Sequence, residues 1–226
     1  MNWLLINSGK CDAALNMAMD EALLEAMPRL RTPVLRFYGW TEPAATFGYF
    51  QACAEVGRAT PLRPLIRRPT GGGIVPHDAD WTYSLIFPSG HEWHLLPAME
   101  SYRRVHASIQ AAFAALDVET ELAPCGRKIL PGQCFAGHEK SDLLWRGKKI
   151  AGAAQRRNKL GLLIQGSVQP PPGAPLRTDW AAEMGAIAQR QFGGGGIDWS
   201  PDAKLQECSQ SLAREKYSLP SYNQKR

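Results

Sequence analysis

The sequence has no run of about eighteen apolar residues, so no segment reads as a membrane span. It has no CxxC pair and no histidine at metal-ligand spacing from a cysteine. Its five cysteines, Cys11, Cys53, Cys125, Cys134 and Cys208, form an odd set, which speaks against a disulfide framework and a structural zinc site. They are expected to be reduced thiols, most of them small core residues. The N-terminus is apolar too briefly for a signal peptide and lacks a basic start, which predicts a cytoplasmic protein. There is no internal repeat, no GxSxG elbow, no paired-carboxylate pattern and no GxGxxG or GK(S/T) phosphate loop. Basic residues are scattered and not interleaved with aromatics, so nucleic-acid binding is not expected.

What is there is an ordinary globular composition. Of 226 residues 44% are hydrophobic and 21% charged, ample for the core of a single domain over residues 1–226. The net charge of +5 suits acidic proteins or anionic small substrates. A strand is expected over 3–7. Asp12 then caps a helix over 13–27, with Leu15, Ala18, Met19, Ala22, Leu23 and Ala26 on one stripe. Asp20 and Glu21 lie mostly off that stripe and are expected to be solvated. Strands follow over 34–38, 44–48 and 81–87, then a helix over 99–116 and a strand over 118–122. Residues 124–140 read as a long loop, a length more often functional than connective. A hairpin over 142–155 turns at Arg146-Gly147, and a strand over 162–168 precedes helices over 178–187 and 201–216. The irregular alternation gives a mixed α/β class.

Chemistry concentrates in three places. Arg67-Arg68-Pro69-Thr70-Gly71-Gly72-Gly73-Ile74-Val75-Pro76-His77-Asp78 joins two strands through three glycines. Such a run marks either a tight turn or a place where a ligand approaches the backbone. Beside two guanidinium groups that ligand could be a carboxylate or phosphate. His77-Asp78 reads either as a base with its orienting carboxylate or as a capped turn. Lys149 enters a segment of small residues, Ile150-Ala151-Gly152-Ala153-Ala154, where an ammonium could meet a ligand's carbonyl or phosphate oxygen; the alternative is a surface hairpin lysine. Cys134 precedes that hairpin, fifteen positions before Lys149, and a nearby ammonium favours a nucleophilic thiolate, although Cys125 shares the loop.

Taken together, Asn16-Met17-Ala18-Met19-Asp20-Glu21-Ala22-Leu23-Leu24, the glycine segment, and Lys148-Lys149-Ile150-Ala151-Gly152-Ala153-Ala154-Gln155-Arg156-Arg157 resemble the lipoate-protein ligase A family in residues, order and separation. Gln165-Gly166-Ser167-Val168 resembles its following strand, and the likeness extends over roughly residues 1–217. The resemblance implies the biotin/lipoate ligase catalytic fold, an α/β (α+β) arrangement of a larger and a smaller mixed β-sheet flanked by helices. It implies substrate contacts at Arg68, Gly71, Gly72, Gly73, Ile74, Val75, Pro76, His77, Gly152 and Ala154, with Lys149 on the acyl carbonyl. It also implies no separate C-terminal accessory domain within this chain, and a monomer.

Two chemistries share that scaffold. Cysteine-dependent octanoyltransferases take octanoate from octanoyl-acyl carrier protein through a thioester, with no cofactor; Cys134 and Lys149 resemble their cysteine and lysine. Lipoate-protein ligases use ATP and Mg²⁺ and pass through lipoyl-adenylate. Acceptors in both are lipoyl domains or the glycine-cleavage H protein. Octanoyl transfer is the first expectation, the ligase the second, and a non-catalytic binder of lipoyl domains or acyl groups the third. Gly73 stands where transferases often carry Arg, and Ile164 where many members carry His.

Overall fold

The computed structural model describes residues 2–127, 135 and 137–225. Cys134 lies outside the described residues. Strand β1 (Trp3–Cys11) leads to α1 (Ala13–Leu30), capped by Asp12, whose carboxylate accepts from Leu15 N–H. The helix runs past Pro28 and stops at Arg31, which takes the left-handed conformation (φ 53°). Next come β2 (Val34–Trp40), β3 (Ala44–Phe47), α2 (Cys53–Ala59), β4 (Leu65–Arg67), β5 (Val75–His77) and β6 (Trp81–Pro88). Two helices, α3 (Glu92–Leu95) and α4 (Ala98–Ala114), precede β7 (Glu121–Leu122), β8 (Leu143–Trp145), β9 (Lys148–Asn158) and β10 (Gly161–Val168). The chain continues through α5 (Arg177–Phe192), β11 (Gly196–Asp198), α6 (Ala203–Leu212), a π-helical turn (Ala213–Tyr217) and α7 (Pro220–Asn223).

Eight strands form one mixed sheet in the order β11-β1-β2-β6-β10-β9-β8-β7, and three form a second, β4-β3-β5. This is the larger-and-smaller-sheet arrangement that the family resemblance implied. In the large sheet β1 runs parallel to both β2 and β11, and the remaining pairs are antiparallel. The central strands are buried on both faces, and their alternation assigns each side chain to a layer. On one face Tyr83, Leu85, Phe87, Leu162 and Ile164 pack with Val105, Ile109 and Phe113 of α4 and Trp180 of α5. On the other, Ile86 and Leu163 meet Leu23, Leu24 and Met27 of α1 and Leu205 of α6. The hairpin turn forms where the sequence places it, with Arg146 and Gly147 both at positive φ (49° and 75°), the pairing that suits a two-residue β-hairpin.

Several local readings are revised. Residues 53–59, where no element was expected, form α2, and the glycine-rich stretch before residue 197 ends in β11, which pairs with β1. Asp20 and Glu21 are not solvated. Asp20 receives Arg36 at 2.7 Å, Ser84 at 2.7 Å, Tyr38 at 3.1 Å and Gln165 at 2.8 Å. Glu21 receives Tyr217 at 2.8 Å and Arg156 at 3.3 Å, and also pairs with Lys216. Burial of these carboxylates is supportable because cations and hydroxyls from distant elements meet them.

Candidate active site

The first and last arginines of the glycine segment do different work. Arg67 is fully buried and ties the root of the loop to α7: its backbone N–H donates to Asn223 Oδ1 (2.8 Å), and its guanidinium donates to the carbonyls of Tyr222, Asn223, Tyr49 and Gln51. Arg68 folds the glycines around itself, donating to Gly71 O and Gly73 O at 2.8 Å each and to Thr46 Oγ1 at 2.9 Å. Gly72 takes φ +88°, and its carbonyl oxygen would lie 1.9 Å from a Cβ at Gly48. The two backbones therefore touch, which only glycine permits at Gly48.

A narrow cavity of about 40 Å³ opens between this loop, α1 and strands β9 and β10. Met17, Tyr38, Thr46, Arg68, Val75, His77, Thr82, Phe135, Lys149, Gly152, Ala153, Ala154, Gln165, Gly166 and Ser167 line it. Many of these residues are polar, yet their polar atoms are bonded within the wall. Gln165 donates to Asp20 and accepts from Thr70 Oγ1 at 2.7 Å, while Tyr38 donates to Asp20. His77 Nδ1 faces Asp80 Oδ2 at 2.9 Å, and Nε2 faces Thr46 Oγ1 at 2.8 Å. Thr82 and Ser167 donate to the same Asp80 oxygen at 3.0 and 2.7 Å. An ionised Asp80 only accepts, so Nδ1 of His77 carries the proton. With polar tips engaged, the wall offers methyl, methylene and glycine surface to a ligand.

Lys149 supplies the charge. Its ammonium lies 2.7 Å from Asp142 Oδ2, with both side chains less than a tenth exposed, and 5.3 Å from the centroid of the Phe135 ring. A Cβ at Gly152 would fall 2.8 Å from Lys149 Nζ, so the glycine makes the room in which the ammonium sits. Behind the pair lies His106 of α4, whose imidazole is pushed down to about 4 by burial. The Asp142 carboxylate works against that shift, and the Lys149 ammonium adds to it.

The family model described as the Lipoyl protein ligase A/B catalytic domain matches residues 12–169. A curated relative, "Octanoyltransferase LipM" of Geobacillus kaustophilus, is 36% identical over 183 residues, covering 74% of this chain and 64% of the relative. The chain belongs to the lipoyl protein ligase A/B catalytic-domain family. It thus spans about two thirds or slightly less of the length of the curated relatives it matches, among them "Octanoyltransferase LipM" of Staphylococcus aureus, 36% identical with 74% of this chain and 65% of that protein covered. Among solved structures, a putative lipoate protein ligase from T. acidophilum with bound lipoic acid superposes with a TM-score of 0.83 at 18% identity over 100% of both chains. A lipoate-protein ligase A bound with ATP gives 0.79 at 19% identity over 99% of both. At those identities the structures establish the lipoyl protein ligase A/B fold for this chain.

Within this family member the structure brings Arg68, Val75, His77, Lys149, Gly152 and Ala154 to one cavity. Gly71, Gly72, Gly73 and Ile74 shape the loop beside it, Pro76 pairs with Ala45 in the small sheet, and Ile74 turns into the small-sheet core with Ala45, Phe47 and Val56. Ile164 faces the main core, away from the cavity. The carboxylate that orients His77 is Asp80; Asp78 is exposed. Sequence reading missed Asp80 and Asp142. The signal for Asp142 was its place at the start of the hairpin whose other strand carries Lys149.

Proposed function

We propose that the protein is an acyltransferase of protein lipoylation, moving an octanoyl group from octanoyl-acyl carrier protein to a lysine of a lipoyl domain or of the glycine-cleavage H protein. The observation that carries this reading is the Lys149 ammonium, held by Asp142 at the wall of a narrow cavity that Phe135, the residue after Cys134, also lines. The internally bonded wall suits a saturated chain. The curated relatives named as octanoyltransferases support the same assignment.

In this reading Cys134 attacks as the thiolate. Its sulfur forms a bond to the octanoyl carbonyl carbon, the carrier thiolate leaves, and Lys149 stabilises both the thiolate and the transient oxyanion. The amine of the acceptor lysine then attacks the octanoyl-enzyme. The Cys134 thiolate departs, and the amine's proton passes to solvent.

The ligase is the second reading, favoured by Gly73 in place of Arg. It would place ATP and Mg²⁺ near Arg68. That guanidinium is engaged with Thr46, Gly71 and Gly73, so a phosphate there would compete with bonds that shape the loop. Among the described residues no group of three or more His, Cys, Asp and Glu side chains is arranged to hold a metal ion; Mg²⁺ could instead be held largely by phosphate and water.

The test is to incubate the protein with octanoyl-acyl carrier protein without ATP and weigh it intact. A hydroxylamine-labile octanoyl adduct, lost in Cys134→Ser, is the expected result. Lipoyl-domain modification that requires ATP, with no adduct, would replace this reading with the ligase. Binding of a lipoyl domain or an octanoyl group with neither reaction would leave a non-catalytic binder.

A further inference from the structure

We propose that Asp142 is a positioning residue for Lys149: one carboxylate oxygen keeps the ammonium charged and seated at the cavity wall, and ties it to the chain that returns from the loop after Phe135. The inference rests on the acyl-transfer reading for its consequence in catalysis, but its geometry is independent of it.

Asp142 Oδ2 lies 2.7 Å from Lys149 Nζ and accepts from the backbone N–H of Glu139, also at 2.7 Å. The same atom therefore fixes a lysine on β9 and the turn that ends the loop. Asp142 itself has little freedom. Its carbonyl accepts from Ala123 N–H at 2.8 Å, its N–H donates to Glu139 O at 3.1 Å, and the preceding residue, Ser141, donates to Ala123 O at 2.8 Å. Ser141 adopts φ 70°, an uncommon conformation for a residue with a side chain, kept by bonds on either side. Gly152 leaves the ammonium its space.

An ammonium this enclosed loses its proton more readily once its counter-ion is removed. A neutral amine would stabilise neither a thiolate nor an oxyanion. Among the described residues, the other titratable groups facing the pair are His106 and Tyr102 of α4 and Tyr83 of β6, with Tyr38, Arg68 and His77 on the cavity side and Glu139 at the turn bonded to Asp142. Asp142 is the carboxylate in contact with the Lys149 ammonium.

Asp142→Asn separates charge from tether, because the amide oxygen still accepts from Glu139 N–H. Asp142→Glu restores the charge. The first readout is competitive acetylation of Lys149 by acetic anhydride, followed across pH by peptide mass in the full chain. Labelling at neutral pH should rise about tenfold in Asp142→Asn and return toward the parent value in Asp142→Glu. The second readout is octanoyl-enzyme formation, whose alkaline limb should move to lower pH in Asp142→Asn and back in Asp142→Glu. Labelling of Lys149 that is the same in Asp142→Asn and the parent would overturn the proposal. A parent that forms no octanoyl-enzyme removes the transfer reading, and the labelling profile then decides the role of Asp142 alone.

Discussion

Gly152 is the glycine whose space the Lys149 ammonium occupies. A methyl group there would sit 2.7 Å from Lys149 Cε and 2.8 Å from Nζ. The atoms it meets belong to a flexible side chain, so the fold can yield, but only by swinging the ammonium away from Asp142. Gly152→Ala should therefore lower the rate of octanoyl-enzyme formation by about 10²-fold, the scale of a misplacement near 1 Å. Its thermal midpoint should stay within a few degrees of the parent. Rapid-quench mass measurement alongside a thermal melt checks both halves; a large fall in midpoint would mean that the residue is needed for folding instead.

Among the elements, β10 carries the closest crossing in the large sheet. Gly166 pairs with Tyr83 on β6, and a Cβ at 166 would fall 2.1 Å from Tyr83 Cζ. Tyr83 is fully buried beside Trp180, and burial, reinforced by the Asp142 carboxylate, pushes its phenol well above the usual range. With so little room to retreat, Gly166→Ala should destabilise the fold by about 3 kcal/mol, read as a shift of the urea midpoint with unchanged slope. The strands and long helices were legible in the sequence because periodicity is local: the stripe on α1, the β-rich run at β6 and the Arg146-Gly147 turn announce themselves within a dozen residues. The carboxylates were not. Asp20 looks solvated until Arg36 and Gln165 are brought to it from β2 and β10, and Asp80 looks unremarkable beside the adjacent His77-Asp78 pair. A turn between β5 and β6 reverses that neighbourhood, leaving Asp78 outside and Asp80 within. The short β11 was hidden for a related reason, since its glycines gain order only by pairing with β1.

At the scale of the whole molecule, His106 connects the site to global stability. Burial holds its folded value down to about 4 against an ordinary 6.5, so the unfolded chain binds the extra proton between those values. Stability from this group is present above pH 6.5 and is lost as the pH falls toward 4, by about 3 kcal/mol. Urea titrations between pH 7 and 4 should show that decline, and His106→Leu should flatten it by the same amount. A decline of equal depth in the variant would assign the acid sensitivity to other groups. A different constraint follows from Arg67, whose backbone and guanidinium are gripped by residues 222 and 223, 155 and 156 positions further along the chain. During synthesis the glycine loop leaves the ribosome long before the residues that lock its root. A nascent chain that has reached Val168 already holds every strand bordering the cavity, yet lacks Asn223, so the root of the glycine loop can be locked only some fifty-five residues after the cavity's last strand has been made.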